Sequence, residues 1–196
     1  MSATLGFTPA IAVSADQKAE YLGFARTAAR AAGEAILPYF RSRMQVTNKV
    51  AGRGFDPVTL ADQAGERVIR AAIESAYPDH RIFGEEFGLK PGNGLTWVID
   101  PIDGTRAFMT GMLHWGVLLA LFDGEQPIVG VMYQPYTDEL FSGDNERARY
   151  ERAGQSQSLV TSACERVDEA CLSTTGIDWL PATEQERFAQ LSRATK

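Results

Sequence analysis

Three acidic residues and a Gly-Thr turn lie close together near the middle of the chain. Glu85 falls in Gly84-Glu85-Glu86, and Asp100 and Asp103 fall in Trp97-Val98-Ile99-Asp100-Pro101-Ile102-Asp103-Gly104-Thr105. Trp97 to Ile99 reads as a short buried strand, because aromatic and β-branched residues follow one another. Its carboxylates then emerge at the strand's C-terminal end, where α/β proteins place chemistry. Carboxylates brought together repel and lose hydration, and a cation bound between them offsets both effects. An all-oxygen donor set suits a hard ion: Mg²⁺ first, then Mn²⁺ or Ca²⁺. Behind the acids, Gly104 lets the backbone approach a ligand closely. Gly104 to Phe108 can open a helical turn whose free N–H groups face an anion. A cation on one side and oriented amides on the other suit phosphoryl chemistry. The six residues Asp-Pro-Ile-Asp-Gly-Thr also fit a plain polar turn. An EF-hand loop does not fit, since Gly104 at its sixth position would put Ile99 where a carboxylate is required.

The elements around these residues can be read from periodicity. Ser14-x-x-Gln17 has the form of a capping box. Tyr21, Ala25, Ala28, Ala32, Ala35 and Ile36 then repeat at helical spacing, which predicts a long helix ending near Pro38 to Phe40. Met44 to Lys49 reads as a strand, and the glycines at 52 and 54 as a loop. That loop lacks the spacing of a nucleotide-binding loop. Thr59-x-x-Asp62 opens a second helix with Val68, Ile69, Ala72, Ile73 and Ala76 on its apolar face, stopped by Pro78. Taken alone, Asp62 is a favourable charge in a first helical turn. Arg81 to Phe83 is a short strand that delivers Glu85; Glu86 is solvated or supports the site from behind. Trp115 to Phe122, Ile128 to Tyr133 and Glu139 to Ser142 read as consecutive strands of an antiparallel meander, turning at Asp123-Gly124. Arg147 to Arg152 reads as a solvated face or hairpin edge. Ala170 to Ser173 reads as the beginning of a strand, and Glu184 to Ala194 as a helix. Helices followed by a meander make an α+β arrangement in layers.

Composition sets the outer limits. A chain of 196 residues with 44% hydrophobic residues can bury a sizeable core. The net charge of −6 argues against nonspecific nucleic-acid binding, which needs a basic face. It leaves an anionic substrate open, because bound cations invert the local field. Cys164 and Cys171 read as ordinary thiols rather than a disulfide framework. His80 and His114 read as surface or core histidines rather than zinc ligands. No stretch has the length of a membrane span, and the N-terminus lacks a signal pattern, so a cytoplasmic location is the expectation.

Three blocks, in order and spacing, resemble the inositol monophosphatase family of Mg²⁺-dependent, lithium-sensitive phosphomonoesterases. They are Asp56-Pro57-Val58-Thr59-Leu60-Ala61-Asp62, Phe83-Gly84-Glu85-Glu86, and Trp97 through Thr105. The likeness extends from about residue 15 to 175. Arg106-Ala107-Phe108, Trp115-Gly116 and Gln134-Pro135-Tyr136-Thr137 look more like the histidinol-phosphatase branch. The resemblance implies a layered αβαβα sandwich with an antiparallel meander sheet. Residues 1–13, which show no strong pattern, read as a loose arm; the resemblance makes 14–155 an N-terminal α+β domain carrying the metal site, and 156–196 the start of an incomplete C-terminal α/β half-domain.

The resemblance also implies roles. Glu85, Asp100, Asp103 and the carbonyl of Ile102 are metal ligands, and Asp62 sits at the metal site through water. Glu85 and Thr105 orient the attacking water. Gly104 and Thr105 amides, with Asp103 nearby, hold the substrate phosphate. Lys49 stands roughly where the family keeps a basic residue. The family's late acidic ligand, in a Trp-Asp or similar motif, has no counterpart before Lys196, so the chain reads as a fragment or shortened member. The implied reaction is hydrolysis of a small phosphate monoester by a metal-activated water, with two or three Mg²⁺ ions. Histidinol phosphate is the first expected substrate and inositol 1-phosphate the second, and a homodimer is implied. Other sugar or nucleotide phosphates remain open. So do a non-catalytic metal or phosphate binder, a purely structural turn, and an aspartyl-phosphate enzyme of the haloacid-dehalogenase type. That last class favours two acids separated by one residue, whereas Asp100 and Asp103 are separated by two.

Overall fold

A computed structural model describes residues 10–42, 46–48 and 57–196. The expected strand over Met44 to Lys49 appears as β1 (Val46–Asn48), paired antiparallel with β2 (Pro57–Thr59). Met44, Lys49, the glycines at 52 and 54, and Asp56 lie outside the described residues.

The first helix, α1, spans Ala15–Ile36, and a 3₁₀ turn over Leu37–Tyr39 ends it with Pro38 in that turn. Its start is the predicted capping box. The Ser14 hydroxyl accepts the Gln17 N–H at 3.2 Å, and the Gln17 side chain accepts the Ser14 N–H at 2.9 Å. Tyr21, Ala25, Ala28, Ala29, Ala32 and Ile36 make the buried stripe. The alanines let the helix lie close to the sheet. At Gly33 even a Cβ would come within 2.6 Å of the Tyr133 ring. The second helix, α2 (Leu60–Ala76), buries Ala61, Gly65, Ile69 and Ile73 on the same side as Asp62 and Glu66.

The strands β3 (Arg81–Gly84), β4 (Gly88–Lys90), β5 (Thr96–Asp103), β6 (Gly116–Phe122), β7 (Pro127–Gln134), β8 (Glu139–Gly143), β9 (Ala148–Arg152) and β10 (Gln155–Leu159) form one sheet. Its order is β10-β9-β8-β7-β6-β5-β3-β4. Every neighbouring pair is antiparallel except β3 and β5, which are parallel. This is the mixed α+β arrangement expected. Side chains alternate across the sheet. Val117, Leu119 and Leu121 of β6 are buried, while Leu118, Ala120 and Phe122 between them are half-buried. Trp97, Ile99, Ile82, Val131 and Leu140 extend the buried face, on which α1 and α2 pack. Each such aliphatic side chain contributes about 1.5–3 kcal/mol by leaving water.

Arg147 to Arg152, expected as a solvated face or hairpin edge, is largely exposed and forms one strand of a hairpin. It supplies β9, which lies between β8 and β10. The two-residue turn Ala153-Gly154 has φ of 49° and 77°, the left-handed pair that matches strand twist in a tight hairpin. β10 then becomes the edge.

Contacts divide the chain into residues 1–159 and 160–196. Within the second unit, α4 (Ala182–Ala194) forms over the expected helix, and the Lys196 N–H reaches the Ala170 carbonyl at 3.0 Å. The strand expected at Ala170 to Ser173 does not form. A strand needs a neighbour to take its backbone hydrogen bonds, and none among the described residues pairs with it. Cys164 and Cys171 are exposed free thiols. No helix among the described residues is long and apolar enough to cross a membrane.

Candidate active site

The parallel pair explains how Glu85 meets Asp100. Gly84 stands opposite Ile99 in the β3–β5 ladder, and the Glu85 N–H continues it by donating to the Ile99 carbonyl at 3.3 Å. Glu85 and Asp100 are thus the next residues of two strands running side by side in the same direction. β5 does not end at Ile99, as expected, but runs through both acids to Asp103. Residues three apart on a regular strand face opposite ways. Here Asp100 pairs with Leu118 and Asp103 with Gly116, three steps on β5 against two on β6. The extra residue is a bulge that re-aims the strand and brings Asp103 back toward the side of Asp100.

Asp62 joins them from the first turn of α2, where it is 4% exposed. The Asp100 carboxyl registers the crowding: burial, then repulsion from Glu85, Asp103 and Asp62, pushes its pKa from 3.8 to about 7. A hydrogen bond from the Ile102 backbone opposes the rise only in part. Its Oδ1 is buried without a hydrogen-bond partner. Among the described residues, no group of three or more acidic, histidine or cysteine side chains is placed close enough to hold a metal ion. Glu85 and Asp103 are exposed, where water screens the repulsion between carboxylates. The donor chemistry nevertheless fits a hard divalent cation, because the Oδ1 of Asp100 is buried with no hydrogen-bond partner among the described residues, and the acids around it offer only oxygen.

The backbone turns sharply behind the acids. Gly104 has φ +90° and caps α3 (Thr105–Met109). A Cβ there would overlap the His114 carbonyl, so both conformation and space require glycine. The Thr105 hydroxyl donates to the Ile102 carbonyl at 3.1 Å, leaving that oxygen a second lone pair. Phe108 anchors α3. It is fully buried, edge-on to Trp115 at 4.7 Å and 5.3 Å from the Phe40 ring.

One buried acid escapes sequence reasoning. Glu66 is fully buried in α2 and accepts the N–H groups of Glu86 at 2.7 Å and Phe87 at 3.2 Å. Arg70, four residues on, pairs with it at 2.6 Å and also donates to the Gly88 carbonyl. The available signal was spacing. Glu66 lies four residues after Asp62 and three before Ile69, on the face that the apolar stripe marks as buried. Glu86, half-buried, is tied to Glu66 through its backbone.

His80 is a core residue, as one of the two expectations held. It is buried, and its Nδ1 accepts the Trp97 indole N–H at 3.1 Å. Burial pushes its pKa down. His114 is exposed.

With this geometry in place, comparison with known proteins gives a consistent result. The inositol monophosphatase family model matches residues 17–195. The bifunctional phosphatase IMPL2, chloroplastic, of Arabidopsis thaliana is 38% identical over 150 residues, covering 75% of this chain and 42% of that protein. The histidinol-phosphatase of Chlorobaculum parvum is 43% identical over 118 residues, covering 59% of this chain and 44% of that protein. Among solved structures, an inositol monophosphatase from Zymomonas mobilis superposes with a TM-score of 0.74 at 33% identity, over 93% of this chain and 68% of that one. The chain therefore spans less than half the length of these two curated relatives.

Proposed function

We propose, because the chain belongs to the inositol monophosphatase family, that it serves the Mg²⁺-dependent hydrolysis of a small phosphate monoester. The observation that carries this reading is Asp100. Its carboxylate is crowded by Glu85, Asp103 and Asp62, and one of its oxygens is buried and bare. Such an arrangement costs stability, and a bound cation reverses the sign of the interaction.

Glu85, Asp100, Asp103 and the free lone pair of the Ile102 carbonyl are the residues that would hold Mg²⁺, or Mn²⁺ in its place. Two or three ions follow from the family likeness. Bound cations supply charge neutralisation for the phosphoryl group and a lowered pKa for water. The chain's own residues do the rest. Thr105 fixes the Ile102 carbonyl through its hydroxyl and, with Glu85, orients the attacking water. The backbone of Gly104 and Thr105, beside Asp103, offers N–H groups to a phosphate oxygen. Asp62 holds water at the rim of the acids.

Histidinol phosphate is the preferred ester and inositol 1-phosphate the next. One of the curated relatives is a histidinol-phosphatase, and the Zymomonas mobilis structure is that of an inositol monophosphatase. The unit 1–159 carries the site. A homodimer follows by family likeness, and a cytoplasmic location is the default reading of the sequence.

The test is phosphate release by the 196-residue chain from histidinol phosphate, with inositol 1-phosphate alongside, with and without Mg²⁺. Mg²⁺-dependent release that Asp103→Asn removes supports the reading. Mg²⁺ binding without release from either ester supports the non-catalytic binder instead. Absence of any Mg²⁺ response sinks both.

A further inference from the structure

Of the acids gathered around Asp100, Glu85 alone stands on a turn. Asp100 and Asp103 are held in β5, and Asp62 in α2. A ligand on a turn is placed only as well as the turn is braced.

The brace is visible. The turn joining β3 to β4 runs from Gly84 to Gly88, and Glu66 and Arg70 contact it from behind at successive backbone groups. Glu66 Oε2 accepts the Glu86 N–H at 2.7 Å, and Oε1 accepts the Phe87 N–H at 3.2 Å. Arg70 Nε donates to Glu66 Oε1 at 2.6 Å, and its Nη2 donates to the Gly88 carbonyl. The Arg70 guanidinium also lies 5.9 Å from the Phe87 ring. Glu66 packs so closely that a Cβ on Gly84 would overlap its carboxylate. Burying a carboxylate this completely is unfavourable, and an apolar side chain would fill the space with less desolvation. What an apolar side chain lacks is the ability to accept two consecutive amides in fixed directions.

We propose that Glu66, backed by Arg70, is the positioning residue for Glu85: it fixes the turn Gly84–Gly88 in the conformation that carries the Glu85 carboxylate toward Asp100. This role rests on the metal-site reading of Glu85 given above. Glu66 touches neither cation nor substrate, and acts through the backbone of the two residues that follow Glu85.

The test uses Glu66→Gln, which keeps the shape but only one acceptor oxygen, and Arg70→Lys, which keeps the charge but loses the forked contact. Folding of each is checked by cooperative melting. Two quantities are then read: hydrogen exchange at the Glu86 and Phe87 amides in metal-free protein, and Mg²⁺ affinity by calorimetry. Faster exchange at those two amides, with Mg²⁺ affinity lowered about 10- to 100-fold, is the expected result. A merely structural Glu66 lowers the melting temperature and leaves Mg²⁺ affinity unchanged in a variant that folds, and that outcome overturns the proposal. If Glu66→Gln does not fold, unchanged Mg²⁺ affinity in folded Arg70→Lys overturns it equally. A wild-type chain with no Mg²⁺ response overturns the metal-site reading itself. A wild type that responds and variants that respond equally remove only the role of Glu66.

Discussion

Glu85 donates its backbone N–H to the carbonyl of Ile99, which extends the one parallel ladder of the sheet by a residue and sets the Glu85 side chain beside Asp100. An antiparallel partner in the place of β3 would have carried the residue after Gly84 toward the opposite end of β5. The meeting of the two acids therefore depends on strand direction as much as on residue type.

Asp103→Asn keeps the size of the side chain and removes its charge. Phosphate release should fall by about 10²-fold or more, the scale of losing one electrostatic stabiliser of a developing charge. Mg²⁺ should also bind more weakly. Normal rate and normal Mg²⁺ dependence in this variant would remove Asp103 from the site.

Asp100 gives a pH signature to the metal-free chain. Its carboxyl releases its proton near 3.8 when unperturbed and near 7 in the folded protein. Between those values the native state holds more protons than the unfolded state, so this group lowers stability as pH rises from about 4 to about 7. His80 works the other way, because its lowered pKa makes the fold resist protonation and costs stability as pH falls below its ordinary value of 6.5. Asp100→Asn should therefore stabilise the metal-free protein more at pH 8 than at pH 5. Thermal melts in chelator at the two pH values measure the difference. An equal effect at both would show that Asp100 is not perturbed.

Mg²⁺ bound at the proposed site would displace the proton that Asp100 retains, so its affinity should drop as pH falls below about 7. In Asp100→Asn the remaining affinity should change less over the same interval. Calorimetric titrations at several pH values test this without any substrate.

Gly104→Ala should destabilise the fold by at least about 2 kcal/mol, since a left-handed residue with a Cβ costs about 1–2 kcal/mol and the new methyl overlaps the His114 carbonyl. Urea unfolding gives the number. Activity should fall further than stability, because relief of the overlap displaces Thr105.

Phe108→Ala empties a fully buried ring position between Phe40 and Trp115. The expected loss is about 3–5 kcal/mol. The Gly104–Thr105 turn depends on this anchor, and Thr105 holds the Ile102 carbonyl, so a variant that folds should bind both phosphate esters and Mg²⁺ less tightly.

Much of this arrangement was legible in the residues. The capping box of α1, the start of α2 next to Asp62, the meander and the turn at Gly104 all follow from local periodicity and short-range hydrogen bonding. Other features depend on contacts that local patterns do not encode. Pro101 argues for a strand that stops at Ile99, yet β5 continues, because a bulge absorbs the irregularity. β10 carries Gln155-Ser156-Gln157-Ser158, with no apolar alternation to announce a strand, and forms because β9 offers it a ladder. The spacing of Glu66 marks it as buried, but the backbone amides that it accepts come from a turn 20 residues away that no local pattern pairs with it. The strand expected at Ala170 lacks the partner that alone would make it one.

The bulged end of β5 and the parallel ladder also have a kinetic side. Every side chain assigned to the site falls between Asp62 and Thr105, so the acids are joined by short loops whose closure costs little chain entropy. On a ribosome this stretch emerges before β6 to β10 are synthesised. β6 is then the first of the later strands to pair with β5, and it sets Leu118 beside Asp100. The charge repulsion at Asp100 is therefore a barrier that the chain meets late, as β6 docks and water leaves. A divalent cation present at that moment should speed folding as well as stabilise its product.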